Sequence, residues 1–356
     1  MAQGRIAGQP SQAGSSPYHR DVPDQPAAST SPLATLARRL AAPLVRPTPL
    51  AMRRIAFAGV IASALIIPTG AAVRLSQSGL GCTHWPNCTA GSLVAGGDSG
   101  DPLIHRWVEF GNRMLTAAIF VVVIAVFIAA WRFRDSGGRR RDLVWLAAVQ
   151  PAGIVVQATI GGIVVLTNLS PFWVSLHYLA TLPVIAAAVA LHVRCTEGRG
   201  PATSLVQPVV RLVTWALVAV ASLMMIAGTL VTGTGPLAGA GNVPRYHFLG
   251  LTQVTQLHAD IGWVLGTLAV VLVLVMHLSE TPPRAVRLGW IVLGLIGLQG
   301  VIGYAQYFSG LPAGLVWVHV TNTALIWIAI LRLTFAIRDR GPVTVSEPAA
   351  PALASA

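Results

Sequence analysis

Gln157-Ala-Thr-Ile-Gly-Gly-Ile-Val-Val-Leu-Thr-Asn-Leu-Ser-Pro-Phe-Trp-Val-Ser-Leu-His-Tyr-Leu-Ala-Thr181 and Gln299-Gly-Val-Ile-Gly-Tyr-Ala-Gln-Tyr-Phe-Ser-Gly-Leu-Pro-Ala-Gly-Leu-Val-Trp-Val-His-Val-Thr-Asn-Thr323 decide the fold. In each, an apolar run stops at a short polar break with a proline, and a second apolar run follows. Gln157, Ile160, Gly161, Val174, His177 and Thr181 recur at a constant offset as Gln299, Ile302, Gly303, Val316, His319 and Thr323. A fixed offset reads as tandem duplication. A histidine kept inside an apolar helix is costly in hydrocarbon and marks function.

Working outward, apolar runs fall at 55–73, 107–130, 143–166, 173–193, 212–231, 256–278, 288–307 and 314–335. Each has the roughly 20 residues that cross about 30 Å of hydrocarbon as a helix. Of 356 residues, 54% are hydrophobic and 10% charged, far below the roughly 25% charged of a soluble domain. The expectation is an all-α integral membrane protein with eight transmembrane helices, arranged as two tandem four-helix bundles related by a parallel internal repeat. The net charge of +12 comes from arginine alone, because the chain has no lysine. Most arginines cluster in alternate loops, with Arg74, Arg106, Arg113 and Arg245 on the intervening side. That asymmetry reflects membrane topology and argues against a nucleic-acid surface. It predicts a multi-pass protein of the cell membrane, with both termini cytoplasmic.

The boundaries read as a disordered cytoplasmic tail at 1–52, a first half at 53–196 and a linker at 197–211. A second half follows at 212–337, then a second disordered tail at 338–356. Residues 1–50 are rich in Pro, Ala, Ser and Gln, a composition that buries too little to fold, and no signal-peptide core follows Met1. Loop lengths match between halves. The short outer loops are Thr167–Phe172 and Phe308–Ala313, and the long ones are about 74–104 and 232–254.

Cys82 and Cys88 lie in the first outer loop. Their spacing and oxidising side suit a structural disulfide; a redox pair, free thiols and metal ligation remain open. Cys195 reads as a reduced thiol. Of nine histidines, His84 and His247 fall in outer loops, and His192 and His277 at cytoplasmic helix ends, where an amphipathic ring sits comfortably. His177, His258 and His319 differ. All lie near the outer ends of spans four, six and eight, at one depth. Two imidazoles from facing helices suit the two faces of a porphyrin iron, whereas zinc wants a compact cluster that is absent from the sequence. Aligning Val108 with Val254 puts Asn112 at the position of His258. His105, Glu109 and Asn112 are spaced four and three apart, so they form one helix stripe. Arg106 and Arg113 flank it and suit porphyrin propionates. Glu109, a carboxylate inside an apolar span, is a catalytic candidate; a Glu109–Arg113 helix pair is the plainer reading.

Assembled, these residues resemble haem A synthase over roughly residues 53–337. The likeness rests on Val73-Arg-Leu-Ser-Gln-Ser-Gly-Leu-Gly-Cys-Thr-His-Trp-Pro-Asn-Cys88, on Glu109-Phe-Gly-Asn-Arg113, and on the segments around His177, His258 and His319. The resemblance implies an oxidoreductase that converts the C8 methyl of haem O to a formyl group, making haem A for cytochrome oxidase. It implies haem b held by His258 and His319, and haem O as substrate in the first half, with His177 on its iron and Glu109 near the reacting methyl. Much of the family has His where Asn112 stands, so His177 alone, or His105 in place of Asn112, is left for the substrate iron. Glu-Phe-Gly-Asn-Arg resembles the actinobacterial branch. Haem O synthase is the implied supplier, the electron partner is unidentified, and oligomerisation is open. The competing class is a multihaem b-type electron-transfer cytochrome with no chemistry of its own. A transporter fits less well, because the polar residues lie near one face and not at mid-membrane. A prenyltransferase would want paired aspartates, which the sequence lacks.

Overall fold

The computed structural model describes residues 44–45, 47–96, 102–248 and 250–344. The tail expected at 1–52 therefore lies mostly outside the described residues, as do positions 345–356. The described chain forms helices α1 (Pro49–Leu75), α2 (Leu103–Arg132), α3 (Arg141–Leu166), α4 (Pro171–Leu179), α5 (Thr181–Arg194), α6 (Pro208–Thr234), α7 (Leu251–Leu278), α8 (Pro283–Phe308) and α9 (Ala313–Ala336). With α4 and α5 taken together, eight helices are long and apolar enough to cross a membrane. Strands are minimal: a hairpin of β1 (Arg134–Asp135) and β2 (Gly138–Arg139), and a pair of β3 (Thr203–Ser204) and β4 (Arg338–Asp339).

The fourth span breaks at Ala180, three residues after His177. Pro183 explains the break, since it has no N–H to bond Leu179 and its ring crowds that carbonyl. The apolar run at 173–193 by itself predicts one uninterrupted helix there. Elsewhere Pro68 and Pro151 sit within continuous helices. The Pro68 carbonyl accepts the Trp317 Nε1–H of α9 at 2.8 Å.

Each half closes on itself. In the first, α1 packs on α2 and α5, and α3 on α2 and α5; in the second, α7 packs on α6 and α8, and α9 on α8 and α6. The halves meet where α9 packs on α1 and α5, and α4 on α6. One apolar core runs through this junction, with Ile185, Ala188 and Val189 of α5 beside Leu217, Leu272, Ile330 and Leu333 of the second half. Tyr178 and Thr323 hydroxyls bond at 2.9 Å across it, and Trp327 Nε1–H donates to the Leu182 carbonyl at 3.1 Å.

The two short loops on one face share a backbone. Asn168 and Leu169 have φ of 50° and 57°; Gly310 and Leu311 have 76° and 61°. Leu169 N–H donates to Val164 O and Leu311 N–H to Gln306 O, at 2.8 and 2.7 Å. The paired positions keep the offset that separates His177 from His319. Leucine in the left-handed region costs roughly 1–2 kcal/mol. Burial of Leu169 among Leu80, Val164, Val174, Ala238 and Val243 offsets it.

The opposite face carries a charged network. Arg199 and Arg140 pair with Asp135, Arg140 and Arg194 with Asp142, and Arg194 and Arg338 with Glu197. Burial pushes the Asp135 carboxyl up, but hydrogen bonds from Arg199 and the Gly137 N–H outweigh it and hold the group below the usual carboxylate range. The network and the β3–β4 pair tie the inter-half linker to residues 338–344, so the start of the segment assigned to the second tail is structured. Strand pairing satisfies its backbone where composition alone predicted disorder. Cys195 is buried here, and burial pushes its thiol up to about 12, which leaves it protonated and inert.

Candidate functional site

A single cavity of about 2200 Å³ opens among the helix ends beneath the face bearing the short loops. Its volume exceeds the roughly 300–1,000 Å³ of an ordinary small-molecule pocket, so it has room for more than one large ligand. Both halves line it, mostly with apolar groups. Its polar wall carries Arg74, Glu109, Asn112, Arg113, Gln157, His177, His258, Gln299 and His319. Glu109 is the only carboxylate on this wall among the described residues.

His258 of α7 and His319 of α9 face each other, with ring centres 6.3 Å apart and planes inclined at 56°. Imidazole–metal bonds of about 2.0–2.1 Å put two ring centres about 6.4 Å apart when both rings bind one ion from opposite sides. The observed separation fits that arrangement. Each ring rests on a glycine. A Cβ at Gly303 would fall 3.2 Å from His319 Cε1, at Gly228 3.3 Å from His258 Cε1, and at Gly161 3.2 Å from His177 Cε1. Nδ1 of all three rings is buried with no hydrogen bond of good geometry, although the Met224 carbonyl lies toward that of His258. Rings seated on bare backbone at the wall of a large cavity suit a porphyrin iron. His177, in the first half, lines the same cavity.

Beyond the histidines the halves diverge. In the second half, Gln299 Nε2–H donates to the His319 carbonyl at 3.1 Å, and Asn322 Nδ2–H donates to Gln299 Oε1 at 2.8 Å. In the first, Gln157 Nε2–H donates to Thr181 Oγ1 at 3.0 Å, and Gln157 Oε1 is left without a partner. Asn112 reaches the cavity wall, and its Oδ1 is likewise buried and unpartnered.

The first outer loop roofs the first half. Cys82 and Cys88 are disulfide-bonded and fully buried. Gly81 lies against the backbone of His105 and Arg106, with no space for a Cβ. Trp85 covers Gly162 of α3, where a Cβ would fall 2.6 Å from its ring. Glu109 holds this loop from below. Its Oε2 accepts the Cys82 N–H at 2.8 Å and its Oε1 accepts Arg113 Nη2–H at 2.5 Å. Arg113 also donates to the carbonyls of Cys82, His84 and Asn87.

Three of the expected residues lie off the cavity or have their donors engaged elsewhere. His105 does not line the cavity; its Nδ1 bonds the Ser78 hydroxyl at 2.8 Å. Arg106 is buried beside the loop and does not line the cavity either. Arg113 reaches the wall, but its donors are engaged by Glu109 and loop carbonyls. The missed residue is Arg74, at the end of α1, which counted in the sequence only as a topology charge and lies on the cavity wall. His84, His192 and His277 stand apart from the cavity, bonded to Thr83, the Arg53 carbonyl and the Val273 carbonyl.

Residues 102–331 match the family COX15-CtaA, described as cytochrome oxidase assembly protein. Relatives bear the name heme A synthase, and three of them illustrate the likeness. The chain is 31% identical to that of Lysinibacillus sphaericus over 137 residues, which is 38% of this chain and 42% of the relative. It is 31% identical to that of Geobacillus kaustophilus over 121 residues, 33% of this chain and 34% of the relative. It is 22% identical to that of Shewanella oneidensis over 311 residues, 76% of this chain and 92% of the relative. The chain thus spans less than half the length of the first two.

Proposed function

The chain belongs to the COX15-CtaA family of cytochrome oxidase assembly proteins, and from that premise we propose that it is a haem A synthase, an oxidoreductase that converts the C8 methyl of haem O to the formyl of haem A. The observation that carries this reading is the joining of two unlike sites in one cavity. A facing histidine pair occupies the second half, and Glu109 with a single histidine, His177, occupies the first.

His258 and His319 would hold haem b in the second half, and that group, when bound, would supply one-electron redox chemistry. His177 would hold the iron of the substrate, haem O, and Asn112, on the same cavity wall, would offer an amide and not a second imidazole. The disulfide loop, through Trp85 and Pro86 on the cavity wall, keeps water from the reacting carbon. Glu109 stabilises positive charge at the methyl carbon as it is oxidised, or takes the proton released there. A carboxylate works strongly in either role inside a low-dielectric wall. Haem O synthase is the reaction class that supplies the substrate.

Extraction of the pigments from purified protein tests this reading. Haem O, its hydroxylated derivative or haem A is expected beside protohaem. Protohaem alone overturns it in favour of the second reading, an electron-transfer cytochrome. One observation favours that second reading: both Glu109 oxygens already have protein partners, as a purely structural carboxylate would.

The glycine cradles give a separate expectation. Gly303→Val pushes a methyl group into the His319 ring. Displacing a ligand from its supporting shell typically lowers metal affinity about 10- to 100-fold. Haem content, measured as the pyridine haemochrome, should fall accordingly, whereas full content would remove Gly303 from the site's construction.

A further inference from the structure

Arg74 is a cation of the cavity wall with no ion pair among the described residues. It sits in the last turn of α1. A Cβ at Gly239, in the long loop of the second half, would fall 3.6 Å from its Cγ. Tyr178 of α4 lines the same cavity, and its hydroxyl bonds Thr323 of α9. Arg74 therefore stands at the seam between the two halves, where the cavity is continuous. No carboxylate among the described residues lies within ion-pair distance of it, and no hydrogen bond of its guanidinium is recorded among them. The neighbouring cations are different. Arg113 is saturated by Glu109 and the disulfide loop, and Arg245 donates to the carbonyls of Val243, Pro244 and Pro236.

An uncompensated guanidinium flanked by apolar walls is expensive. Its planar fork matches a carboxylate in bidentate fashion. Since none of the described residues supplies an anion, the occupant of the cavity is placed to do so. We propose that Arg74 receives a propionate-type carboxylate of a porphyrin in this cavity, and that it replaces Arg106 and Arg113 as the anion anchor. This rests on the porphyrin reading above and extends it to a residue which that reading does not use.

The test is titration of haem-free full-length protein with iron protoporphyrin and with its dimethyl ester, followed by the Soret band. The unmodified chain is expected to bind the diacid at least about tenfold more tightly, the scale of a charge-assisted hydrogen bond. Arg74→Leu should abolish that preference, and Arg74→Lys should keep part of it. Equal affinity of the unmodified chain for acid and ester overturns the proposal, as does a preference that survives in Arg74→Leu. The first outcome needs no variant to fold. If neither porphyrin binds with a histidine-ligated spectrum, the porphyrin reading itself fails, a result distinct from the others. Repeating the titration in His177→Ala identifies the source. Lost preference assigns the carboxylate to the ligand of the first half, and retained preference assigns it to the ligand of the second.

Discussion

Replacing His319 by alanine is expected to abolish the low-spin, bis-imidazole absorption of the purified protein, and His258→Ala should do the same. The two rings stand 6.3 Å apart, centre to centre, so each lies on one side of the position an iron would take. Removing one leaves an ion with a single strong axial ligand, and spin state and affinity change together. The glycine cradle sharpens this expectation. Gly303 offers no side chain that can reach in to replace the lost nitrogen, and the nearest polar groups, Gln299 and Asn322, are bonded to each other and to backbone. Imidazole added to the buffer should restore part of the spectrum, because alanine leaves a ring-sized space. His177→Ala is the control: it removes a histidine of similar burial and seating from the other half, and should leave the bis-imidazole bands in place. An unchanged spectrum in either His258→Ala or His319→Ala would end the assignment of haem b to this pair.

The eight spans were legible because burial in hydrocarbon acts on composition, residue by residue, and needs no tertiary partner. Their ends were less so. α1 begins at Pro49 and α7 at Leu251, several residues outside the apolar runs, because interfacial turns are polar and still helical. The two short loops were legible as breaks, and the same leucine conformation at Leu169 and Leu311 follows from the residue correspondence already visible around them. The break at Ala180 was visible in principle through Pro183. Depth along a helix, which grouped His177, His258 and His319, is a one-dimensional property and can be read from sequence. What a side chain meets across a loop is not. Arg113 pointed to propionates by its place beside Glu109, yet the loop from Cys82 to Cys88 folds over it and takes its donors. His105 shared a stripe with Glu109, but Ser78 reaches it first. The place of Arg74 on the cavity wall, without an ion pair among the described residues, is a tertiary property of the same kind.

Glu109→Gln is expected to lower haem A formation by about 10²- to 10⁴-fold, the usual scale for removing a group that manages protons or charge at a reacting atom, while the bis-imidazole spectrum stays intact. The substitution is chosen for shape. Glutamine keeps one oxygen as an acceptor for the Cys82 N–H, but its NH2 group then faces Arg113 Nη2 and cannot accept from it, so the contact with Arg113 is lost while the Cys82 contact is kept. Glu109→Ala is a different experiment. It strands the Cys82 N–H and removes the only carboxylate partner of Arg113 among the described residues. Each such buried orphan costs about 1–3 kcal/mol, concentrated on the loop that roofs the first half. Alanine should therefore expose the Cys82–Cys88 bond to mild reductants as well as stopping the reaction, whereas glutamine should leave the bond protected. The two readouts separate the two jobs that the geometry gives this residue. If Glu109→Gln makes haem A at the normal rate and only Glu109→Ala fails, with its loop opened, then Glu109 is a pin for the loop and the charge at the reacting carbon must be met by another group. If both fail and only alanine loosens the loop, the carboxylate acts on the substrate as well as on the roof above it. A single side chain can do both, because each carboxylate oxygen keeps an acceptor site beyond the one that Cys82 or Arg113 uses.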